Sequence, residues 1–483
     1  MGSSISKHAS DRPGLTWFAA AVVALLVAVL VWRGLCGRAL QLQWAWGIDG
    51  GYFLQRTWQG AVDPFAPRTL FWDEAGSGTH GGRHHSPIVS LFVGPMALRP
   101  HLKTLLATQA AILGAGVLPL FALCWNCTRH RGMALLLLCA ALSVPGFFAI
   151  AVGDFRLLAP ALVLVPACIG AAVFGPWPAA FAATVLACSV REEVAPLVIF
   201  LLPFLVSERA RRAEVGWKQS YRVPVLSVGL PAALWHLGTM WRADLQMPGQ
   251  LMGFAGLDGT PAWQLPLEWG GMLLSDLRGE LTDPPRLLLR LMSVGGVASL
   301  LLLSRPWALA GLLIFWVGAS ENSGVVNPGQ VHYYAPLVGL YVALVPLALT
   351  GWQRGRGWFP GVGAGVLLLG HALLPALPVS VEEAWNQASH EPGPEWDLAA
   401  TIGPDESVLA SGWLLPTISP RQEIWCTCDL RDAHSWVYER VDAIFLMKGD
   451  SYEGEVRAAG FVEVARANQG ILFRRPEATS SSR

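Results

Sequence analysis

The feature that most limits what this chain can become is a succession of long apolar runs. Stretches at about 16–33, 104–125, 132–151, 157–175, 177–190, 194–207, 223–241, 286–304, 306–320, 333–350 and 358–379 are nearly free of charge. Roughly 20 such residues span the ~30 Å hydrocarbon core as a helix, because no water is present there to satisfy an open backbone. The runs predict an all-α polytopic membrane protein of about eleven transmembrane helices. Those at 177–190 and 194–207 are short and read equally well as a broken pair. Ser86–Leu98, interrupted by Pro95, reads as an interfacial or re-entrant helix. Composition agrees: of 483 residues, 53% are hydrophobic and 14% charged, against about 25% charged in soluble domains. The 22 Trp and 51 Gly suit membrane interfaces and helix packing. A formal net charge of +0 leaves no electrostatic footprint for nucleic acid. Disorder, collagen-like repeats and a disulfide scaffold are excluded.

Charge alternates from loop to loop. Lys7 and Arg12 precede the first run; Arg129 and Arg131 follow the second; Arg209, Arg211, Arg212, Lys218 and Arg222 follow the sixth. Arg305 follows the eighth, and Arg354 and Arg356 the tenth. Basic loops resist translocation, so these share the cytoplasmic side, with the N-terminus inside and a bacterial inner membrane as the expected location. The opposite side receives the loop 34–103, the turn 152–156, Arg191–Glu193, the loops 242–285 and 321–332, and the tail from about 380. The opening run is too long for a cleavable signal peptide. The start MGSSIS fits a myristoylation pattern that an anchored chain does not need.

Two regions follow: a multi-span domain over 1–379, and a small extracytoplasmic α/β domain over 380–483. In the tail, Ser407–Ser411 and Ala443–Met447 read as buried strands, Glu453–Ala459 as a helical turn, and Phe461–Phe473 as a hairpin around Asn468–Gly470. Cys426 and Cys428 admit a disulfide, two free thiols or a weak metal site; the other six Cys read as packing residues.

The chemistry must come from ionisable groups held at the outer membrane surface. Five places qualify: Asp49 in Trp46–Tyr52, His84 and His85 before Ser86-Pro87, Asp154 and Arg156 in a tight turn, Arg191-Glu192-Glu193, and His332-Tyr333-Tyr334. Each alone is as easily a helix cap, a solvated turn or a surface pair. All five fall on one predicted side, however, and ionisable groups at membrane depth mark sites by default. Acids, imidazoles and guanidiniums around one cavity suit a phosphate-bearing substrate: Arg binds the anion and a carboxylate accepts a proton from an attacking hydroxyl. Asp49, Asp154, Glu192 and the two His could ligate a divalent cation, but no compact metal motif is present. The need for a cofactor is left open.

An Asp in the first outer loop, then His85-Ser86-Pro87-Ile88, Gly153-Asp154-Phe155-Arg156, Arg191-Glu192-Glu193 and His332-Tyr333-Tyr334, resembles a family of bacterial predicted membrane proteins known as domain of unknown function 2079. The resemblance runs from about Gly47 to about Phe473, including Leu415–Arg421. That family is similar to the C-type glycosyltransferases, which take sugar from a polyprenyl-phosphate donor. The resemblance implies Asp49 as the catalytic base, with Glu192 beside it, and a site for donor and acceptor built from His85, Asp154, Arg156, Arg191, Glu193, His332 and Tyr333. Arg156 stands where the family has His, and Arg191 where Lys is common; either keeps a cation for a lipid phosphate. The expected partners are the lipid bilayer and a polyprenyl-phosphate-linked sugar, with no nucleic acid. A lipid or solute transporter or flippase, or a non-catalytic receptor, are the alternatives.

Overall fold

The computed structural model describes residues 13–40, 47–62, 86–153, 155–191, 194–213, 217–246, 295–320, 334–351, 359–373, 392–418, 420–421, 423–427 and 435–476, with a few isolated positions at 275–292. The chain opens with α1 (Pro13–Leu40), α2 (Gly47–Val62), a short 3-10 turn (Pro87–Val89) leading into α3 (Ser90–Leu98), and α4 (Leu102–Thr128). Next come α5 (Arg131–Leu142), α6 (Pro145–Gly153), α7 (Ala161–Phe174), α8 (Trp177–Cys188), α9 (Val194–Phe200) and α10 (Leu202–Ala213). Helices α11 (Trp217–Pro224) and α12 (Leu230–Gln246) are joined by a π-turn, Val225–Gly229. A 3-10 segment (Gly296–Ser304) precedes α13 (Pro306–Ser320), α14 (Ala335–Gly351) and α15 (Phe359–Leu373).

Among the described residues, two helices are long and apolar enough to cross a membrane, Gly14–Leu40 and Leu102–Thr128. The number becomes four if each bent pair is one span: α5 with α6, bent by 60°, and Gly296–Ser304 with α13, bent by 117°. The expected eleven full-length spans are therefore not found as continuous helices. An apolar run is not one helix when proline interrupts it, because proline removes a backbone donor and restricts the residue before it. Pro145 opens α6, Pro203 sits at the start of α10 and Pro306 opens α13. The run 177–190 ends as α8, and 194–207 is itself divided between α9 and α10. Helix α14 is buried along its whole length and packs on α4, α5 and α7, so it forms the centre of the bundle.

The bundle has two chemically different ends. Helix α7 runs between them, about 21 Å at 1.5 Å per residue. At one end Glu208, 3% exposed, is gripped by Arg211 (2.5 Å), Arg212 (3.0 Å) and Arg305 (2.9 Å). The same guanidiniums donate to carbonyls that end α14: Arg212 to Leu347, Arg305 to Leu347 and Ala348, and Arg211 to Gly351. Arg209 donates to Ala172 and Gly175 at the end of α7. The last carbonyls of a helix have no partner within it and carry partial negative charge, so arginine satisfies both deficits. Gly351 admits the clasp because a Cβ there would collide with Arg305 and Arg211. Cys127, near the end of α4, lies beside Arg212 and Thr350. The ends of α4, α7, α10 and α14 thus meet at one place, and those of α4, α10 and α14 are followed by basic residues in the sequence.

The C-terminal domain begins with α16 (Pro394–Ala400) and carries β1 (Val408–Ala410), β2 (Ile424–Cys426), α17 (Ser435–Arg440), β3 (Ala443–Met447), α18 (Glu453–Ala458), β4 (Val462–Arg466) and β5 (Gly470–Arg474). The sheet order is β2-β1-β3-β5-β4, parallel across the first three strands and antiparallel through the hairpin. Alternate residues of a strand face opposite sides, and here each side has its own cover. Leu409, Trp425, Ile444, Leu446, Ile471 and Phe473 form one core with Val437, Val441, Val456 and Phe461 of the domain's own helices and flanking turns. Val408, Ala410, Ile424, Cys426, Ala443, Phe445 and Leu472 join the core that continues into the helical bundle. Cys426 is disulfide-bonded; Cys428 lies outside the described residues. The remaining six Cys are free.

Replacing Glu208 with Ala leaves three guanidiniums facing one another. We expect a loss of about 3–5 kcal/mol, the usual result of deleting one member of a buried ion pair, measured as a lowered melting temperature in detergent. In the hairpin, Arg466 and Arg457 hydrogen bond to Glu463 and hold its carboxyl down from 4.5 to about 2. A carboxylate with a depressed folded pKa stabilises above its unfolded value and loses that contribution as pH falls through the folded one. Glu463→Gln should therefore flatten acid sensitivity of the hairpin between pH 4.5 and about 2, and leave neutral stability little changed, since the group is exposed.

Candidate functional site

At the other end of α7, the assembly centres on Phe155, in the turn that follows α6. Its ring is fully buried, with Phe53 of α2 at 5.5 Å and Phe92 of α3 at 5.4 Å, both edge-on. Aromatic rings favour this geometry over stacking face to face, so one side chain gathers three elements. The backbone of the turn is held by an amide. Gln109 of α4 is completely buried; its Oε1 accepts from the Arg156 N–H at 3.0 Å, and its Nε2 donates to the Ala151 carbonyl at 3.4 Å. Both limbs of the turn thereby hang from one residue. Arg38, near the end of α1, donates to the Gly153 carbonyl at 3.4 Å.

A fourth segment joins through the backbone. The Ile88 N–H donates to the Ser189 carbonyl at 2.9 Å. This bond brings the stretch after Arg83–Ser86 to within two residues of Arg191, whose own carbonyl accepts from Val194 at 3.1 Å. Ser86 and Ile88 are buried.

The predicted site residues distribute as follows over this frame. Asp49 falls in the first turn of α2, where helix N-terminal charge favours a carboxylate. Helical spacing puts position 49 one turn before Phe53 and two turns before Arg56. Arg156 is 5% exposed and Arg191 is half-buried. His85, Asp154, Glu192, Glu193, His332 and Tyr333 lie outside the described residues. Their described neighbours Ser86, Gly153, Phe155 and Arg191 belong to the assembly; Tyr334, next to Tyr333, is buried at the start of α14. Among the described residues no group of three or more His, Cys, Asp or Glu gathers to hold a metal ion.

Three groups escape a reading of the sequence: Arg38 and Gln109, which hold the turn, and Arg56, buried on α2. Two had a usable signal. Arg56 repeats Asp49 at a spacing of seven on one helix, and Gln109 is an amide carried into an apolar run. The segments that carry Arg38, Arg156 and Arg191 meet here, and a guanidinium binds phosphate oxygens in a planar fork.

On its opposite side α2 meets the C-terminal domain. Gly51 packs against Leu415 so closely that a Cβ would enter both its side chain and its backbone. Gln55 exchanges two hydrogen bonds with the backbone of Arg421: its Oε1 accepts from the N–H at 3.1 Å, and its Nε2 donates to the carbonyl.

Residues 38–241 match the family model described as "Predicted membrane protein (DUF2079)". The match holds four of the five polar places, Asp49, His85, Asp154–Arg156 and Arg191–Glu193, while His332 and the C-terminal domain lie beyond it. No curated protein matches. Six chains of solved structures match. One is the crystal structure of ArnT from Cupriavidus metallidurans bound to undecaprenyl phosphate. It is 13% identical, has a TM-score of 0.47, and the alignment covers 98% of this chain and 100% of that one.

Gln109→Leu keeps the volume and removes both hydrogen bonds. We expect a cost of about 1–3 kcal/mol for each backbone group left unpaired in a dry site, read as a lowered melting temperature with membrane insertion unchanged.

Proposed function

We propose that this chain is an integral-membrane transferase that moves a sugar from a polyprenyl-phosphate donor to an acceptor on the outer face of the membrane. One observation carries the reading: the backbone segments bordering the predicted acids, imidazoles and guanidiniums converge on Phe155 at one end of the bundle. The choice of donor rests on the motif resemblance. The choice of side rests on charge, since the arginine clasp at Glu208 occupies the other end and basic ends face the cytoplasm.

In this scheme the donor enters laterally between helices, and its phosphate is bound by Arg156 and Arg191. Asp49 accepts the proton of an acceptor hydroxyl as the oxygen attacks the sugar's anomeric carbon. The bond from that carbon to the phosphate oxygen breaks, and the lipid phosphate departs with the electron pair, its charge held by the guanidiniums. Glu192 and His85 orient the donor, or a divalent cation if one is bound. Asp154, Glu193, His332 and Tyr333 contact the sugar or acceptor. The C-terminal domain, packed on α2, helps select the acceptor.

The test is transfer by the purified protein in lipid nanodiscs supplied with labelled polyprenyl-phosphate sugars. Asp49→Asn should lower transfer by about 10²-fold or more, the usual contribution of a general base, with insertion and melting temperature unchanged. Transfer at the wild-type rate in that variant refutes the assignment. Movement of labelled lipid across the bilayer by the wild type, without transfer, favours the flippase alternative.

A further inference from the structure

The contact between Gln55 and Arg421 joins residues 366 positions apart. It links the helix that carries Asp49 to the connection between β1 and β2 of the C-terminal domain. Both partners are almost fully buried. Arg421 is itself locked from behind: its guanidinium donates to the carbonyls of Gly403 at 2.9 Å and Glu406 at 2.8 Å. The backbone presented to Gln55 is thereby fixed to the body of the domain. On the bundle side, α2 is fixed through Phe53 on Phe155. The helix is thus held between two bodies, and its contact with the C-terminal domain includes a polar pair and the close approach of Gly51 to Leu415.

The β1–β2 connection explains the arrangement. Parallel strands are usually joined through a helix that covers one face of the sheet. Here, among the described residues, the connection between Ala410 and Ile424 contains a single 3-10 turn, Leu415–Thr417. That turn lies against α2 of the bundle. The turn therefore stands between the C-terminal sheet and a helix of the membrane domain, so that displacement of either body is felt by the other.

We propose that Gln55 and Arg421 are positioning residues: they form a latch through which the C-terminal domain sets the placement of α2 and, with it, Asp49. The latch itself stands on the contacts above; its catalytic consequence rests on the role proposed for Asp49. An acceptor that shifts the C-terminal domain would act on the base through this pair, coupling acceptor binding to proton removal.

Hydrogen exchange on the full chain in nanodiscs tests the latch without any substrate. Gln55→Ala should raise exchange by about tenfold, the worth of a typical net hydrogen bond, in both 47–62 and 415–421, while 102–128 and 443–447 keep wild-type protection. Gln55→Glu, which can still accept from the Arg421 N–H but not donate to its carbonyl, should fall between. Arg421→Lys, which loses the guanidinium whose Nη1 donates to both Gly403 and Glu406, should loosen α2 although no atom of α2 is altered; it also serves if Gln55→Ala fails to fold. Unchanged protection of 47–62 in Arg421→Lys overturns the proposal. In the transfer assay, Gln55→Ala should lower kcat about tenfold with the donor KM unchanged, and Gln55→Glu should restore part of it. A raised KM with kcat intact overturns the positioning role. A wild type inactive with every donor refutes the transferase reading instead, and the exchange result alone then decides the latch.

Discussion

Where a helix stops inside an apolar bundle, its last carbonyls and the N–H groups beyond it have no water to turn to, and each must find a partner in the protein. This chain breaks its apolar runs repeatedly at proline, so it creates many such ends. Two kinds of side chain meet the need. At one end of the bundle arginines take the carbonyls that finish α7 and α14, with Glu208 holding three of the guanidiniums together. At the other, the amide of Gln109 supplies a donor and an acceptor to the turn between α6 and α7. The difference has a chemical logic. Arginine leaves positive charge where it is used, as Arg38 does at the Gly153 carbonyl, whereas the Gln109 amide satisfies the backbone on both sides of the turn without adding charge.

The same economy governs the junction with the C-terminal domain. A five-stranded sheet has two faces to cover; α17 and α18 cover one, and α16 with the Leu415–Thr417 turn lies on the other. That other face continues into the core of the bundle. The domain is thus a structural unit by topology, yet its packing is shared with α1 and α2. Trp396 of α16 donates to the Leu40 carbonyl at the end of α1 at 3.1 Å, and the Gly393 N–H donates to the same carbonyl at 3.3 Å. The Leu40 carbonyl at the end of α1 is therefore capped by the C-terminal domain.

How much of this could be read in advance depends on the range of the interaction concerned. Apolar runs and loop charges are local: the runs give a mostly helical chain, and Arg211, Arg212 and Arg305, assigned to one side by charge, meet around Glu208. The strands at Val408–Ala410 and Ala443–Met447 and the hairpin ending at Arg474 follow from local alternation and turn residues. Ile424–Cys426 offers no aliphatic run like those of β1 and β3, and forms its strand beside β1. The count of spans failed for a different reason: hydropathy measures composition, while proline and bends decide where a helix is continuous. The Gln55–Arg421 pair was beyond reach, since nothing near either residue signals a partner in another domain.

Placement of a proton-accepting group is more demanding than its mere presence, because proton transfer requires hydrogen-bond contact with the reacting hydroxyl. Asp49 sits in the first turn of a 16-residue helix that follows the undescribed stretch 41–46. A helix of this length gains its order from packing more than from its own propensity. Phe53 and Gln55 lie on different sides of α2, two residues apart, so a bundle contact and a domain contact cross-brace the helix within two turns of Asp49. Removing either brace leaves the helix intact but free to roll or slide, and a side chain at its first turn moves with it. The precision of the candidate base therefore depends on groups that never meet a substrate, one of them in a different domain.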